Sequence, residues 1–147
     1  MRNQSLSDLL KCLLGQRCNA VHRDEHSWRF VFGERNSLAA ECLWRIISNG
    51  RLVLCNEDDG QKFGHPVPVD ALAKARLLLV DNIVRNTTLA DETADLRISF
   101  ENGPTLELIS TSSGYEAWQA VVDNGRGQTS IIGIGGGGIA VSNEKNS

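Results

Sequence analysis

The feature that most constrains this chain is the stretch 95–108, DLRISFENGPTLEL. Leu96, Ile98 and Phe100 alternate with Arg97, Ser99 and Glu101, a period of two that gives an extended strand one buried face and one wet face. Asn102-Gly103 tolerates positive φ and predicts a tight reversal. Leu106 and Leu108 resume the apolar face on the return strand, with Thr105 and Glu107 turned outward. Pro104 has no N–H to donate, so it belongs at the strand's first position or where its nitrogen meets solvent.

The same pattern recurs along the rest of the chain. Trp28-Arg29-Phe30-Val31-Phe32 alternates with large aromatics on one side, and residues 33–36 turn the chain. Leu38, Ala40, Cys42, Trp44 and Ile46 form a further alternating row, read as one long strand. Asn49-Gly50 is a second hairpin signal before Arg51–Cys55, and the β-branched residues return between Val80 and Leu89. Two helices are expected. Leu6, Leu9, Leu10, Leu13 and Leu14 make a helical stripe behind a capping box at Ser5–Asp8, and Gly15 suits its C-terminal cap. The stripe either covers a sheet or docks on a partner or a second copy of the chain. Asp70 caps a short helix through Leu79, with Leu72, Arg76 and Leu79 at helical spacing. The stretch 21–27, with HRDEH at its heart, reads as a charged connector.

The fold class is therefore α+β, mostly antiparallel sheet in one domain, residues 1–147, with 143–147 as a flexible tail. An internal repeat pairs 20–66 with 81–142. Trp28–Phe32 aligns with Leu96–Phe100, Leu38 with Leu106 and Ala40 with Leu108. After a short insertion, Glu41–Trp44 faces Tyr115–Trp118 and Asn49-Gly50 faces Asn124-Gly125. Two β-meander halves fit this alignment, their apolar faces buried against each other or joined in one continuous sheet, and so does chance, because alternating strands always resemble one another.

The formal charge of −3 argues against a nucleic-acid binder, which needs concentrated Lys and Arg. No run of 18 apolar residues is present, so no membrane-spanning helix is expected, and the N-terminus does not read as a secretory signal. Cys12, Cys18, Cys42 and Cys55 read as reduced thiols of a cytoplasmic protein.

Residues 131–138, IIGIGGGG, contain G-x-G-x-x-G, but a dinucleotide fold needs a helix to start there, and Ile139-Ala140-Val141 reads as a strand. The glycines fit a reversal between two final strands. No P-loop lysine follows them, and no G-x-S-x-G elbow exists. Cys12, Cys18, His22 and His26 include metal-binding side chains, but only three residues separate Cys18 from His22. Extended backbone would also hold the two histidines about 13 Å apart. Cys55 is the more exposed candidate nucleophile, though acidic neighbours raise a thiol's pKa. The acidic turn Glu57-Asp58-Asp59-Gly60 fails as an EF-hand, since Cys55 and Pro66 stand where ligands are required. Trp28, Trp44 and Trp118 read as core anchors, with Tyr115–Trp118 at a strand entrance.

Taken together, WRI…NG, DDGQKFG, DLRISFENG, the Tyr-Glu-x-Trp element at Tyr115–Trp118 and the terminal GGGG-IAV resemble a family of small uncharacterised bacterial proteins, similar in size and layout to immunity proteins encoded beside polymorphic secreted toxins. The resemblance spans Trp28 to Val141 and implies a cytoplasmic β-rich binding protein with no catalytic residue, metal or cofactor. The expected function is non-enzymatic neutralisation of a protein partner, such as a basic toxin domain. Glu57, Asp58 and Asp59 would meet that partner, with Asp91 and Glu92 in the matching turn. The alternative is a small enzyme or metal protein using Cys55 or the Cys12/Cys18/His22/His26 cluster.

Overall fold

The computed structural model describes residues 8–144 apart from 124 and 126, with the backbone alone at 143 and 144. Among these residues eleven strands form two antiparallel sheets. They are β1 (Cys18–Arg23), β2 (Trp28–Phe32), β3 (Asn36–Ala40), β4 (Leu43–Ser48), β5 (Arg51–Cys55), β6 (Val84–Leu89), β7 (Leu96–Phe100), β8 (Thr105–Ile109), β9 (Glu116–Asp123), β10 (Gln128–Ile134) and β11 (Gly138–Glu144). One helix, α1 (Ala71–Leu79), lies between β5 and β6. The α+β expectation holds.

The six-stranded sheet runs β1-β2-β3-β9-β10-β11 and the five-stranded sheet β5-β4-β8-β7-β6. Each half of the chain starts in one sheet and finishes in the other. The expected long strand through Ile46 is thus two strands, β3 and β4, joined where residues 41–42 cross between sheets. Its alternation survives the crossing, because Leu38, Ala40, Trp44 and Ile46 are all buried. Periodicity therefore could not reveal the break. Residues 110–115 cross in the opposite sense, from β8 to β9.

The central hairpin forms as the pattern requires, with Leu96, Ile98, Phe100, Leu106 and Leu108 all fully buried. Gly103 takes φ +108, and the Phe100 N–H donates to the Pro104 carbonyl, which leaves Pro104 just ahead of β8. Between β4 and β5, Asn49 (φ +54) and Gly50 (φ +74) both adopt left-handed backbone, as a two-residue hairpin demands. The aromatic row of β2 meets the second sheet edge-on. Trp28 and Phe30 pack against Trp44 at 5.0 and 5.6 Å between ring centroids, and Phe32 stacks on Phe100 at 6.3 Å.

Several expectations need correction. The presumed connector 21–27 is strand as far as Arg23, because Val21 is fully buried and His22 and Arg23 pair with Arg29 and Trp28; only 24–27 turn. Helix α1 is capped as expected, the Asp70 carboxylate accepting the Ala73 N–H at 3.1 Å. Of the expected stripe, Leu79 is fully buried and Leu72 packs half-buried against the core, but Arg76 is exposed, and Ala71 and Ala75 complete the buried face because small side chains let the helix approach closely. Arg76 instead donates Nε–H to the Val21 carbonyl (3.0 Å), and Asp81 N–H to that of Cys18 (2.8 Å), so the helix and its exit cover the open edge of β1. Near the N-terminus, residues 8–10 are helical and lead into a 3-10 turn at Lys11–Leu13. Leu10 and Leu13 face the core, Leu14 is exposed and Gly15 takes φ +78. Ser5, Leu6 and Ser7 of the expected cap and stripe lie outside the described residues, as do Asn124 of the second repeat turn and 145–147 of the expected tail. Residues 143 and 144 are still paired in β11.

The glycine run is the β10–β11 hairpin turn and not a phosphate cradle. A Cβ at Gly135 would overlap the Ser112 carbonyl, and one at Gly136 would sit 2.7 Å from that of Ser113. At Gly137 a Cβ would overlap the Glu92 carbonyl and lie 2.9 Å from that of Asp91. Glycine is needed here because backbone packs on backbone.

Candidate functional site

The loops that carry the expected binding residues gather along one ridge, where the chain crosses twice between sheets. The β1–β2 turn is tied to the β5 exit by Arg23 Nη1 and Asp59 Oδ2 at 2.5 Å. The β6–β7 turn packs under the Gly137 backbone and receives Trp118 Nε1–H on the Ala94 carbonyl at 2.7 Å. The two sheet crossings lie between them. Segments 24–27, 41–42, 56–60, 90–95, 110–115 and 135–137 make up the ridge, and apart from His26 every titratable charged side chain on it is Asp or Glu. The loops at the opposite ends of the strands mix Glu34, Asp81 and Glu101 with Arg17 and Arg35.

The expected acidic residues divide by job. Asp58 Oδ2 accepts the Cys55 N–H at 3.0 Å and closes the turn Asn56–Asp58. Asp59 Oδ1 accepts the Ala71 N–H at 2.9 Å at the start of α1. That N–H, reinforced by Arg23, holds the Asp59 carboxyl below its ordinary value. Both residues are half-buried, whereas Glu57, Asp91 and Glu92 are exposed. The two clusters leave the same end of the five-stranded sheet at opposite edges, about 19 Å apart by strand spacing. Glu41 and Glu116, absent from the sequence expectation, flank a cleft of about 510 Å³ between them, with Thr111, Ser112 and Tyr115. Tyr115 is 81% exposed and therefore no core anchor, unlike Trp118. The acidic runs 57–59 and 91–92 were readable in sequence, but their placement along one ridge was not.

The alternative site does not assemble. Cys18 is fully buried, and burial pushes its thiol up to about 12. Burial likewise raises the Cys12 thiol, and that of Cys42 to about 12. His22 lies on β1, while His26 sits in the turn beside Glu25 (3.7 Å). Among the described residues no three His, Cys, Asp or Glu side chains are grouped to hold a metal. The Cys55 thiol is directed at Asn56 Oδ1 (3.6 Å), within the turn that Asp58 closes.

A residue expected to face solvent proves unusual. Glu107 does leave the apolar row, yet it is only 5% exposed, because Arg45 and Arg97 lie over it from the neighbouring strands. Arg45 Nε donates to Oε1 at 2.6 Å and Arg97 Nη2 to Oε2 at 2.5 Å. Burial alone would raise the Glu107 pKa, but the two guanidiniums outweigh it and the net shift is downward.

Fold and ridge together define a two-sheet antiparallel protein whose turns at one end of the strands present an acidic edge. No helix among the described residues is long and apolar enough to cross a membrane. In comparison with protein-family models, curated proteins and solved structures, the chain matches none.

Proposed function

We propose that this chain is a non-enzymatic, cytoplasmic binding protein of the toxin-neutralising immunity type, which occludes a basic protein partner with its acidic ridge. The carrying observation is the excess of carboxylates in the six ridge segments, which hold no lysine or arginine of their own, Arg23 and Lys62 flanking them. Asp58 and Asp59 stiffen the ridge, while Glu41, Glu57, Asp91 and Glu92 present charge at its surface. A charged edge of this kind speeds encounter with an oppositely charged partner more than it deepens affinity. The pairing of Phe32 with Phe100 and of Arg17 with Ile83, together with the exchange of strands between sheets, supports reading the chain as two related halves.

The test is capture of a partner by the tagged chain from a native extract, its identification, and association kinetics with the purified pair. Glu41, Glu57, Asp91 and Glu92 changed together to Gln or Asn should slow association by about tenfold at low salt and leave dissociation nearly unchanged. An acidic partner, or unaltered association, would refute the reading.

A further inference from the structure

The open face of the five-stranded sheet carries a second site, which shares Ala90 and Asp95 with the ridge but uses none of the exposed carboxylates of the ridge proposal. In register across that sheet lie Cys55, Arg45, Glu107, Arg97 and Thr88, one residue from each strand. Beside this row is a cleft of about 330 Å³, at the lower end of ligand pockets. Arg45, Arg97 and Glu107 line it along one side, with Asp95, Ile109 and Ala90 among its other lining residues. Arg97 and Asp95 are two positions apart on one extended stretch, so both project to the same face, about 6.6 Å apart along the chain.

Each arginine gives one nitrogen to Glu107 and retains further donors. Arg45 remains 39% and Arg97 59% exposed. On the other side, Asp95 Oδ1 accepts the Ser110 N–H at 2.9 Å, which leaves Oδ2 for another donor. The four charges of the lining cancel, so the cleft has no net attraction for a simple anion. Register nevertheless sets them apart: Arg45 and Arg97 flank Glu107 in one row, which leaves that row net positive, and Asp95 stands two positions away from Arg97. A ligand that matches this pattern carries its own two charges apart, with a short apolar portion for Ile109.

We propose that this cleft binds a small zwitterion of the free amino-acid class, its carboxylate on Arg45 and Arg97 and its ammonium on Asp95. The carboxylate would take the guanidinium edges that Glu107 leaves open, and Glu107 would hold both arginines in place for it.

The experiment is a titration of the ¹⁵N-labelled chain, followed by amide NMR, with three probes separately: alanine, acetate and methylammonium. Alanine should give saturable shifts at Leu96, Arg97, Glu107 and Ile109, with acetate and methylammonium at least about tenfold weaker. Asp95→Asn should bring alanine down to the level of acetate, and Arg97→Gln should abolish both, whereas Arg51→Gln on the far end of the sheet changes nothing. Because the three-probe comparison uses the unaltered chain, it decides the matter even if a variant fails to fold. Equal response to acetate and alanine, no saturable response to alanine, or shifts confined to other residues would each overturn the proposal.

Discussion

Replacing Gly133 by alanine probes the contact on which the junction of the two sheets rests. Gly133 lies within β10, opposite Trp118 on β9, and its backbone is not left-handed. On conformational grounds alone, alanine should therefore stabilise the strand by roughly 0.5–1 kcal/mol. The space says otherwise. An added Cβ would overlap Cε2 and Nε1 of the Trp118 indole and lie 2.7 Å from Cζ2. The ring cannot simply step aside, because it is 2% exposed and its N–H is held on the Ala94 carbonyl at 2.7 Å. Overpacking costs about 1–3 kcal/mol, and losing a buried hydrogen bond about 1–3 more. Offset by the backbone gain, the net loss should be about 1–5 kcal/mol. For a chain of this size that lowers Tm by about 3–20 °C. Urea unfolding followed by tryptophan fluorescence measures it, and a double-mutant cycle with Trp118→Phe isolates the contact. The smaller ring should recover about 1 kcal/mol or more of the Gly133→Ala loss. Unchanged stability in Gly133→Ala, or additive effects in the pair, would refute the packing argument.

Three further outcomes follow from the same geometry. Asp70→Ala removes the cap on α1 and should cost about 1 kcal/mol, readable as a shift in urea midpoint with an unchanged slope; no shift would mean that Ala73 N–H is otherwise satisfied. Asp59, Glu107 and Asp123 all have pKa values lowered by folding, so the unfolded chain takes up protons before the folded one does as pH falls. Their contribution is full above the ordinary carboxylate range near pH 4 and is lost below it, and Asp59→Asn should flatten that acid limb in a pH series of urea midpoints. Cys18 and Cys42, with thiols raised to about 12, should resist iodoacetamide at pH 8 in the folded chain and react once urea unfolds it, as mass spectrometry of the peptides would show; rapid native labelling of Cys18 would contradict its burial.

What the amino-acid order determined by itself was local. Alternation at Leu96–Phe100 and Trp28–Phe32, the Asn49-Gly50 and Asn102-Gly103 reversals, and the Asp70 cap each follow from interactions within a few residues, and each is found in the structure. The sheet exchange at residues 41–42 left no trace in that record, because inward-facing side chains keep their period across the bend. The burial of Glu107 was equally hidden, since it needs Arg45, 62 positions away on β4, to share the register that the hairpin gives Arg97. Nor could local pattern show that carboxylates at positions 24 to 95 would line one ridge, for that requires knowing which strand ends meet. Backbone preference and side-chain period act between neighbours, whereas register and layer order are set by how apolar faces cover one another, and only the folded chain decides that.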